Sequence, residues 1–564
     1  MAIPSVLPLP RRPRPALQNS QFSKIDLGLF PPDPHLVRAM GPATCLRHAA
    51  VPVMRIGNTT VFASEKAEVT ARFRNAIPAE FGEAVIAKAL RSEIERAVIA
   101  ACGGLLSAQA ETRVAEHESC RFWYDGSPRR VLLIAVASLL VASFLAPVAV
   151  FALAFGWTLL TLLGVTAMKL AAFWPRPKSK QAAIANKQDQ VPGISMMVPL
   201  FREEDILPRL ISRLSKLDYP RDRLEICLVT EGDDVVTRQM LSQTVLPSWM
   251  RTITVPPGQL RTKPKALNFA LDMCRGDIIG IWDAEDAPEP DQLLKVAQHF
   301  ATAPPELACL QGALDYYNSK QNWLTRCFTI EYGAWWRVVL PGVARLGFIL
   351  PLGGTSLFLR RDVIEKLDRW DAHNVTEDAD LGVRLARHGY RTEIIPTATH
   401  EEATSQIWPW VRQRSRWLKG FMMTWCTHMR FPGLLLRQIG LWRFIGLQVL
   451  FLCSLSQVLL APLLWSLWLV PLGVGHPLEP YISATTLIVI LGLFLATEFI
   501  TMATGCLGAI RSGKPSLVLW VPTLHLYYPL ATLAAYKALW EMVFKPFYWD
   551  KTQHGHSGDQ TSLA

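Results

Sequence analysis

The sequence predicts an α/β domain that lies between membrane-spanning helices. Half of the 564 residues are hydrophobic, and the mean hydropathy is +0.19. Uncharged stretches long enough to cross a bilayer lie on both sides of the middle of the chain. Between them, short apolar runs alternate with helical patterns, which is typical of βα units on a mostly parallel sheet.

Charge and cysteine usage argue against two other classes. The net charge is +11, which in a membrane protein marks the cytoplasmic flanks of the spans. No zinc-finger spacing, basic zipper or aromatic RNA-binding signature is present, so we expect no nucleic-acid partner. The ten cysteines include no C-x-x-C pair. We therefore expect reduced thiols in a cytoplasmic setting, and neither a disulfide framework nor a zinc site.

The first half of the chain contains a lead and a membrane hairpin. Residues 1–32 are Pro-rich without the apolar core of a signal peptide, and we expect a flexible lead. Residues 33–125 precede the hairpin as a separate domain. Residues 128–175 are almost uncharged and about twice the ~20 residues that one crossing requires. They predict a transmembrane hairpin that turns near Ala146–Pro147, with basic, cytoplasmic ends.

The last third of the chain is again apolar. Residues 421–445 place arginines opposite an apolar helical face and should lie along the membrane surface. Residues 446–510 predict two spans, joined by an outward-facing loop without Lys or Arg. Residues 512–547 are broken by two prolines and too short for two spans, which favours a re-entrant or interfacial hairpin. A cytoplasmic tail, 548–564, would follow.

Glu498 lies inside the second of these predicted spans. A carboxylate at that depth is costly and usually faces a polar path or a partner helix. The alternative is that Glu498 lies near the cytoplasmic surface and extends its carboxylate to it. The sequence leaves both interpretations open.

The soluble stretch, 188–420, carries acidic residues where its predicted strands end, and ligands of α/β sheets bind at the carboxyl ends of strands. Four features occur in a fixed order. They are "MMVPLFREED" at 196–205, "CLVTEGDD" at 227–234, "WDAED" at 282–286, and "TEDADLGVRLARHGY" at 376–390 followed by "QRSRW" at 413–417. Each alone is a weak signal, but the ordered set is specific.

The ordered set resembles the membrane-embedded, processive family 2 glycosyltransferases, the group of bacterial cellulose synthase and hyaluronan synthase. The resemblance covers about Phe151 to Gly555, with "TED" and Q-x-x-R-W as its most specific parts. It implies a Rossmann-like GT-A fold over 188–420, inversion at the anomeric carbon, a nucleotide-sugar donor and Mg²⁺ or Mn²⁺ as cofactor.

The resemblance implies a cation site at "WDAED". A divalent cation neutralises the leaving diphosphate, and hard cations prefer the oxygen ligands that Asp283 and Glu285 offer. The family's D-x-D motif has Asp where this chain has Glu285. Asp286 is the alternative second ligand.

The resemblance also implies the catalytic and acceptor residues. Asp378 of "TED" would be the general base, with Glu377 beside it; the alternative is that Asp378 only caps the following helix. Arg416 would bind the diphosphate. Acceptor contacts would come from both the helix and the "GGTS" loop, namely Gln413, Trp417, Gly354 and Thr355.

The donor and gating positions depart further from the family pattern. Glu231 is the expected nucleotide contact, with Asp233 as the alternative, and Lys263 or Lys265 would approach the donor unless it is a solvated lysine. The C-terminal "WDKTQHG" is similar to a gating loop, which would make Trp549, Thr552 and His554 gating residues. A disordered tail is the alternative.

Residues 33–125 resemble the N-terminal domain of type II secretion ATPases, which binds cyclic di-GMP in some relatives. Only about half of that module is present, without its R-L-G-x-x-L repeats. We expect a small α/β regulatory or docking domain, with cyclic di-GMP as a candidate ligand. A purely structural role is the alternative.

Together these features predict a processive, inverting transferase of the bacterial inner membrane, with its N-terminus and catalytic domain in the cytoplasm. It would use UDP-glucose to extend a β-linked exopolysaccharide and pass the polymer through its own membrane spans. Periplasmic or outer-membrane secretion proteins would be partners. One alternative is a single-addition transferase on a lipid-linked acceptor. Another is a degenerate transferase that serves as a cyclic-di-GMP receptor or scaffold.

Overall fold

The structure is a computed structural model that describes residues 24–66, 73, 76–173, 191–203 and 206–548. The predicted gating residues, Trp549, Thr552 and His554, lie outside the described residues. The chain divides into two compact units. The first comprises Met1–Ala110, Thr254–Gln259 and Phe269–Arg275, and the second comprises Glu111–Ile253, Leu260–Asn268 and Gly276–Ala564.

The first unit is built on a three-stranded sheet. Its strands are β1 (Ala50–Ile56), β2 (Thr59–Ser64) and β3 (Glu83–Lys88), in that order across the sheet. β1 and β2 are antiparallel, and β2 and β3 are parallel. Three helices occur in the same part of the chain, namely α1 (Pro34–Met40), α2 (Pro42–His48) and α3 (Arg91–Thr112). This unit is α/β, as predicted.

The second unit contains an eight-stranded sheet in the order β6-β5-β4-β7-β10-β9-β11-β8. The strands are β4 (Ile194–Leu200), β5 (Leu224–Glu231), β6 (Met250–Val255), β7 (Ile278–Ile281), β8 (Ala287–Pro288), β9 (Leu307–Tyr316), β10 (Leu357–Arg360) and β11 (Arg391–Glu401). Every residue of β5 and β9 is buried. Strands of this kind read as continuous apolar runs because helices cover both faces of the sheet.

The sheet is mixed but mostly parallel, as predicted, because β4, β5, β7, β9 and β11 all run in one direction. β4 pairs in parallel with β5 and β7, and β9 with β11. β10, in contrast, is antiparallel to both β7 and β9, and β8 is antiparallel to β11. β8 and β10 are only two and four residues long, too short for an alternation pattern to indicate their direction.

Shorter helices complete the soluble part. They are α6 (Ile206–Ser215), α7 (Val235–Gln243), α8 (Lys263–Leu271), α9 (Gln292–Thr302), α10 (Trp323–Ala334), α11 (Leu340–Arg345), α12 (Arg361–Lys366), α13 (Glu377–Arg387) and α14 (Ile407–His428). α13 has acidic residues in its first turn and arginines in its last, an arrangement that complements the helix dipole.

Five helical segments of the described chain are long and apolar enough to cross a membrane. They are α4 (Ser127–Leu145), α5 (Pro147–Phe173), Pro432–Leu469, which includes α15 (Pro432–Leu447) and α16 (Ser454–Trp465), α17 (Ala484–Arg511), and Pro515–Phe544, which ends in α18 (Leu524–Phe544). The last segment has 30 residues, a length that permits one full span. Whether it crosses or re-enters stays a prediction.

Candidate active site

β7 places the acidic stretch at one end of the sheet. Its last residue, Ile281, pairs with Met197 of β4 and Leu357 of β10. The chain therefore leaves the sheet between two neighbouring strands, and Asp283 follows two residues later. Asp283 and Glu285 line a cavity of about 670 Å³.

Asp286 stabilises the loop that carries these two carboxylates. Its Oδ2 accepts a hydrogen bond from the Asp283 backbone N–H at 2.8 Å and another from the Thr355 hydroxyl. Asp286 is fully buried, and its pKa is held well above the usual range by burial and then by the charges of Asp283 and Glu285. Glu285 lines the cavity and Asp286 does not, while Asp286 Oδ1 is buried without a hydrogen-bond partner among the described residues. The choice between them as second cation ligand stays a prediction.

A fourth carboxylate reaches the same place from β11. Glu401 lines the cavity, and its Oε1 is buried without a hydrogen-bond partner in the described part of the chain. Burial, followed by the charges of Asp286, Asp283 and Glu285, raises its pKa well above the ordinary value. Mutual repulsion of this kind is relieved by a cation, and carboxylate oxygens are what Mg²⁺ and Mn²⁺ prefer. Asp283, Glu285 and Glu401 fit such an ion.

The two candidate lysines of α8 have different environments. Lys263 lines the cavity, where its ammonium donates to Asp283 Oδ1 and, at 2.7 Å, to the Gly354 carbonyl. Burial lowers the pKa of Lys263, but the carboxylates of Asp283 and Glu377 outweigh burial and raise it. Lys265 is fully buried and donates to Glu231 Oε2 at 2.9 Å. Only Lys263 is placed to approach a donor.

Glu231 and Asp233 fall in neighbouring cavities. Glu231, the last residue of β5, lines the main cavity, and burial raises its pKa despite the opposing charge of Lys265. Asp233 pairs with Arg261 and lines a smaller cleft. Arg261 and Phe201 line both spaces.

The "TED" carboxylates form the first turn of α13 and line the cavity. Burial, and next the charge of Asp378, raises the pKa of Glu377 to about 7. Burial is also the main reason that the pKa of Asp378 is raised to about 6. A Cβ on Gly354 would lie 3.3 Å from Asp378 Oδ2 and 3.5 Å from Lys263 Nζ. Gly354 therefore lets the backbone approach the carboxylate and the lysine together.

Close packing fixes α13 against α14. A Cβ on Gly420 would lie 2.3 Å from the Thr376 hydroxyl oxygen, so only glycine fits there without movement. The Asn374 side-chain amide donates to the Thr424 hydroxyl at 2.9 Å, and its oxygen accepts from the Thr376 N–H at 3.0 Å. The loop before Asp378 is thus attached to the helix that carries "QRSRW".

Gln413, Arg416 and Trp417 all line the cavity. The Gln413 side-chain oxygen accepts from the Thr404 hydroxyl at 3.1 Å. Trp417 packs with its ring centre 6.1 Å from that of Tyr332. An indole beside a carboxylate pair suits a sugar ring, whose apolar face packs on aromatic side chains.

Arg414 supports this indole, and sequence reasoning missed it. Its guanidinium lies 4.9 Å from the ring centre of Trp417 and forms an ion pair with Glu331, which also accepts from the Tyr527 hydroxyl at 2.6 Å. The signal was present in the sequence, since Arg414 lies within the motif. Nothing in the sequence linked it to Glu331, which is 83 residues away.

The structure therefore brings most predicted site residues into one cavity. They are Glu231, Lys263, Asp283, Glu285, Gly354, Thr355, Glu377, Asp378, Gln413, Arg416 and Trp417. Asp286 and Lys265 are buried side chains that do not line it, and Asp233 lines the smaller cleft. Their assigned roles stay predictions.

The cavity continues past the soluble domain. Its lining includes residues of four membrane helices, among them Lys169 of α5, Gln457 of α16, Glu498 of α17 and Thr532 of α18. The carboxylates at the strand ends and the polar groups of the membrane helices thus share one space.

Part of the chain matches a family of known proteins. Residues 278–501 match the family model described as Glycosyl transferase family group 2. Over these residues the chain is therefore similar to family 2 glycosyltransferases. The predicted fold class is confirmed in its broad form, namely an α/β domain with candidate transmembrane helices before and after it in the chain and a small α/β unit at the start of the chain.

Individual relatives are more distant. The chain is 29% identical over 238 residues to the probable glycosyltransferase YdaM of Bacillus subtilis (strain 168), covering 41% of this chain and 56% of that protein. It is 27% identical over 325 residues to the β-monoglucosyldiacylglycerol synthase of Synechocystis sp. (strain ATCC 27184 / PCC 6803 / Kazusa), covering 55% and 65%. The matched segments thus cover between about half and two thirds of the length of these relatives.

Among solved structures, the chain is similar to the mannosyltransferase PcManGT from Pyrobaculum calidifontis in complex with GDP-Man and Mn²⁺. The identity is 17% and the TM-score 0.44, over 69% of this chain and 99% of that one.

Proposed function

We propose that this protein transfers glucose from UDP-glucose, with inversion, onto the end of a growing β-linked polysaccharide. The observation that supports the proposal is the single cavity in which cation ligands, a base of raised pKa and an aromatic platform meet, and which continues between membrane helices. It would act in a bacterial inner membrane, with the catalytic domain on the cytoplasmic side.

Each residue of the cavity has a separate role in the proposed reaction. The acceptor hydroxyl, held over Trp417, attacks the anomeric carbon; the bond to the diphosphate breaks, and UDP leaves with the electron pair. The acceptor proton passes to Asp378, whose pKa near 6 suits a base at neutral pH. Arg416 binds the departing diphosphate. A divalent cation on Asp283 and Glu285 supplies further charge neutralisation when bound.

Replacing the base tests this assignment. In Asp378→Asn, we expect transfer to fall by about 10²–10⁴-fold, the range that a general base contributes, while UDP-glucose affinity is retained. Labelled-donor turnover and calorimetric donor binding measure the two effects. Asp362→Asn, an exposed carboxylate on α12, is the control. Normal turnover of Asp378→Asn would show that the base is another group.

A second candidate function is supported by one of the relatives. The similarity to a protein named β-monoglucosyldiacylglycerol synthase favours a single sugar added to a lipid acceptor. Product length discriminates between the two functions. A ladder of oligomers from labelled UDP-glucose supports polymer synthesis, and one glucose on an organic-extractable lipid supports the alternative.

A further inference from the structure

We propose that the Lys263 ammonium competes with the divalent cation for Asp283 and moves to the donor diphosphate when the cation binds. Lys263 thereby couples the uptake of the cation to the uptake of the nucleotide sugar. The inference rests on the proposed function, because it describes how the same site binds its donor.

The contacts of Lys263 resemble those of a hard cation. Its ammonium donates to Asp283 Oδ1 and, at 2.7 Å, to the Gly354 carbonyl oxygen. Carboxylate and carbonyl oxygens are also the ligands that suit Mg²⁺ and Mn²⁺. The Lys263 side chain is only 16% exposed, so water does not readily replace these partners. The ammonium therefore holds the carboxylate on which the cation depends.

The surrounding charge explains why a divalent ion would still enter. Glu285 and Glu401 line the cavity together with Asp283, and one ammonium neutralises only one of these carboxylates. The remaining negative charge attracts a divalent ion. That ion and the ammonium repel each other at contact distances, because a protein cavity screens charge less than water does. The ion must therefore displace Lys263 from Asp283 or bind more weakly beside it.

The diphosphate gives the displaced ammonium a new partner. Lys263 is the first residue of α8 and lines the cavity, and its four-carbon stem lets the ammonium reach different positions. Lysine binds phosphate as a point charge. Without the diphosphate, displacement would leave a largely buried ammonium short of acceptors, which is costly. We therefore expect Lys263 to weaken cation binding in the absence of nucleotide and to strengthen nucleotide binding in the presence of the cation.

Replacement of Lys263 in the full-length protein tests both halves of the inference without turnover. In Lys263→Met, we expect Mn²⁺ to bind about tenfold more tightly in the absence of nucleotide, within the typical range of coupling between sites. In excess Mn²⁺, we expect UDP to bind about tenfold more weakly, since the diphosphate loses a charged hydrogen-bond donor. Electron paramagnetic resonance measures free Mn²⁺, and calorimetry measures UDP binding.

The controls separate this effect from damage to the site. Lys295→Met removes a partly exposed lysine outside the cavity lining and should change neither dissociation constant. Lys263→Gln, which is also uncharged, should reproduce Lys263→Met, and thermal unfolding shows whether each variant is folded. A distorted site would weaken the binding of both ligands, whereas loss of the competing ammonium changes the two affinities in opposite directions.

The outcomes also separate the inference from the proposed function. Unchanged or weaker Mn²⁺ binding in the folded variants, or no Mn²⁺ binding by the wild type, would overturn the competition for Asp283. Tighter Mn²⁺ binding with unchanged UDP affinity would overturn the transfer of the ammonium to the diphosphate. Absence of UDP release from UDP-glucose by the wild type would instead refute the proposed function, and Mn²⁺ binding would still decide whether Lys263 competes.

Discussion

At the scale of single residues, the raised pKa values of Asp378 and Glu377 predict that activity depends on pH. Burial raises their pKa values to about 6 and about 7, so both take up protons at a higher pH than exposed carboxylates do. The base works only when ionised, and kcat/KM should therefore fall about tenfold per unit as pH decreases below about 6. Initial rates from about pH 5 to pH 8 measure this. A rate that stays flat down to pH 5 would contradict the assignment.

The cation site makes a second residue-level prediction. Glu285 lines the cavity, whereas the Asp286 carboxylate accepts hydrogen bonds from the Asp283 N–H and the Thr355 hydroxyl and supports the loop. Glu285→Gln should raise the Mn²⁺ concentration for half-maximal rate by about tenfold or more, within the range for loss of a ligand or its support. Asp286→Asn should leave metal dependence alone and cost about 1–3 kcal/mol of stability, since it impairs buried hydrogen bonds.

Metal titrations and thermal unfolding of both variants show which of the two carboxylates affects the metal requirement and which affects stability. If only Asp286→Asn changes the metal requirement, the motif register is off by one residue. Asp291→Asn, a half-exposed carboxylate outside the cavity lining, is the matched control.

Sequence patterns located the site but not its details. Asp283 was found because it follows a predicted strand, and Asp378 was found through the family resemblance of "TED"; both signals are local in the sequence. Glu401 was not predicted because the pairing of β11 with β9 brings it to the site, with Glu401 opposite Tyr316. No local sequence pattern indicates that pairing. Lys263 and Lys265 were indistinguishable in the sequence. Residues two apart on a helix point to different sides, and only packing decides which side faces the cavity.

At the scale of elements, a short segment that precedes α4 contacts the last turn of α13 and the residue after it. We call residues 114–125 the strap. The Glu118 carboxylate lies 3.3 Å from Arg384 Nε, 3.5 Å from Arg387 Nε and 3.2 Å from His388 Nε2. Burial opposes ionisation, but the His388 hydrogen bond and the arginine charges lower the pKa of Glu118 to about 2.

The strap also holds the loop that leads into α13. Asp371 accepts from the Ser119 hydroxyl at 2.9 Å and from the Cys120 N–H at 2.8 Å. All these groups are buried or nearly so, which makes their hydrogen bonds strong and their loss costly. The strap therefore fixes the helix whose first turn carries Asp378.

We predict that Glu118→Gln lowers kcat without changing KM for UDP-glucose. The substitution removes one of the two buried carboxylates near Arg384 and Arg387, the other being Asp380. Removal of one partner of a buried ion pair costs about 3–5 kcal/mol. Unfolding measurements and steady-state kinetics test it. Glu116→Gln is the control, because Glu116 is exposed and contacts Arg430 through its backbone oxygen. An unchanged kcat in a folded Glu118→Gln would show that the strap does not position α13.

Element-level prediction succeeded where segments are long. The apolar stretches that became α5 and α17 were identified from length alone, and the helix break at Ala146 lies where the hairpin turn was expected. The order of the strands and the reversed direction of β8 and β10 were not predictable. β10 has four residues and lies between β7 and β9 only because chain segments far apart in sequence meet, which no local pattern encodes.

At the scale of the whole molecule, charge along the chain predicts its orientation in the membrane. Arg129 and Arg130 lie in the first turn of α4, Arg511 ends α17 and Lys514 follows it, whereas residues 470–483 contain neither Lys nor Arg. Basic residues remain on the cytoplasmic side of a bacterial membrane. The loop 470–483 should therefore face outward, and the sheet that carries Asp283 should face the cytoplasm with its nucleotide-sugar donor.

Cysteine labelling in intact cells tests this orientation. Val474 in the loop and Val245 in the soluble domain are both exposed, so each accepts a cysteine without disturbing a core. A membrane-impermeant maleimide should label Val474→Cys in intact spheroplasts and Val245→Cys only after lysis, because the bilayer separates the two sites. The parent protein is the control for its own thiols, seven of which are buried. The reverse pattern would place the active site outside, away from cytoplasmic UDP-glucose, and would contradict both the orientation and the proposed donor.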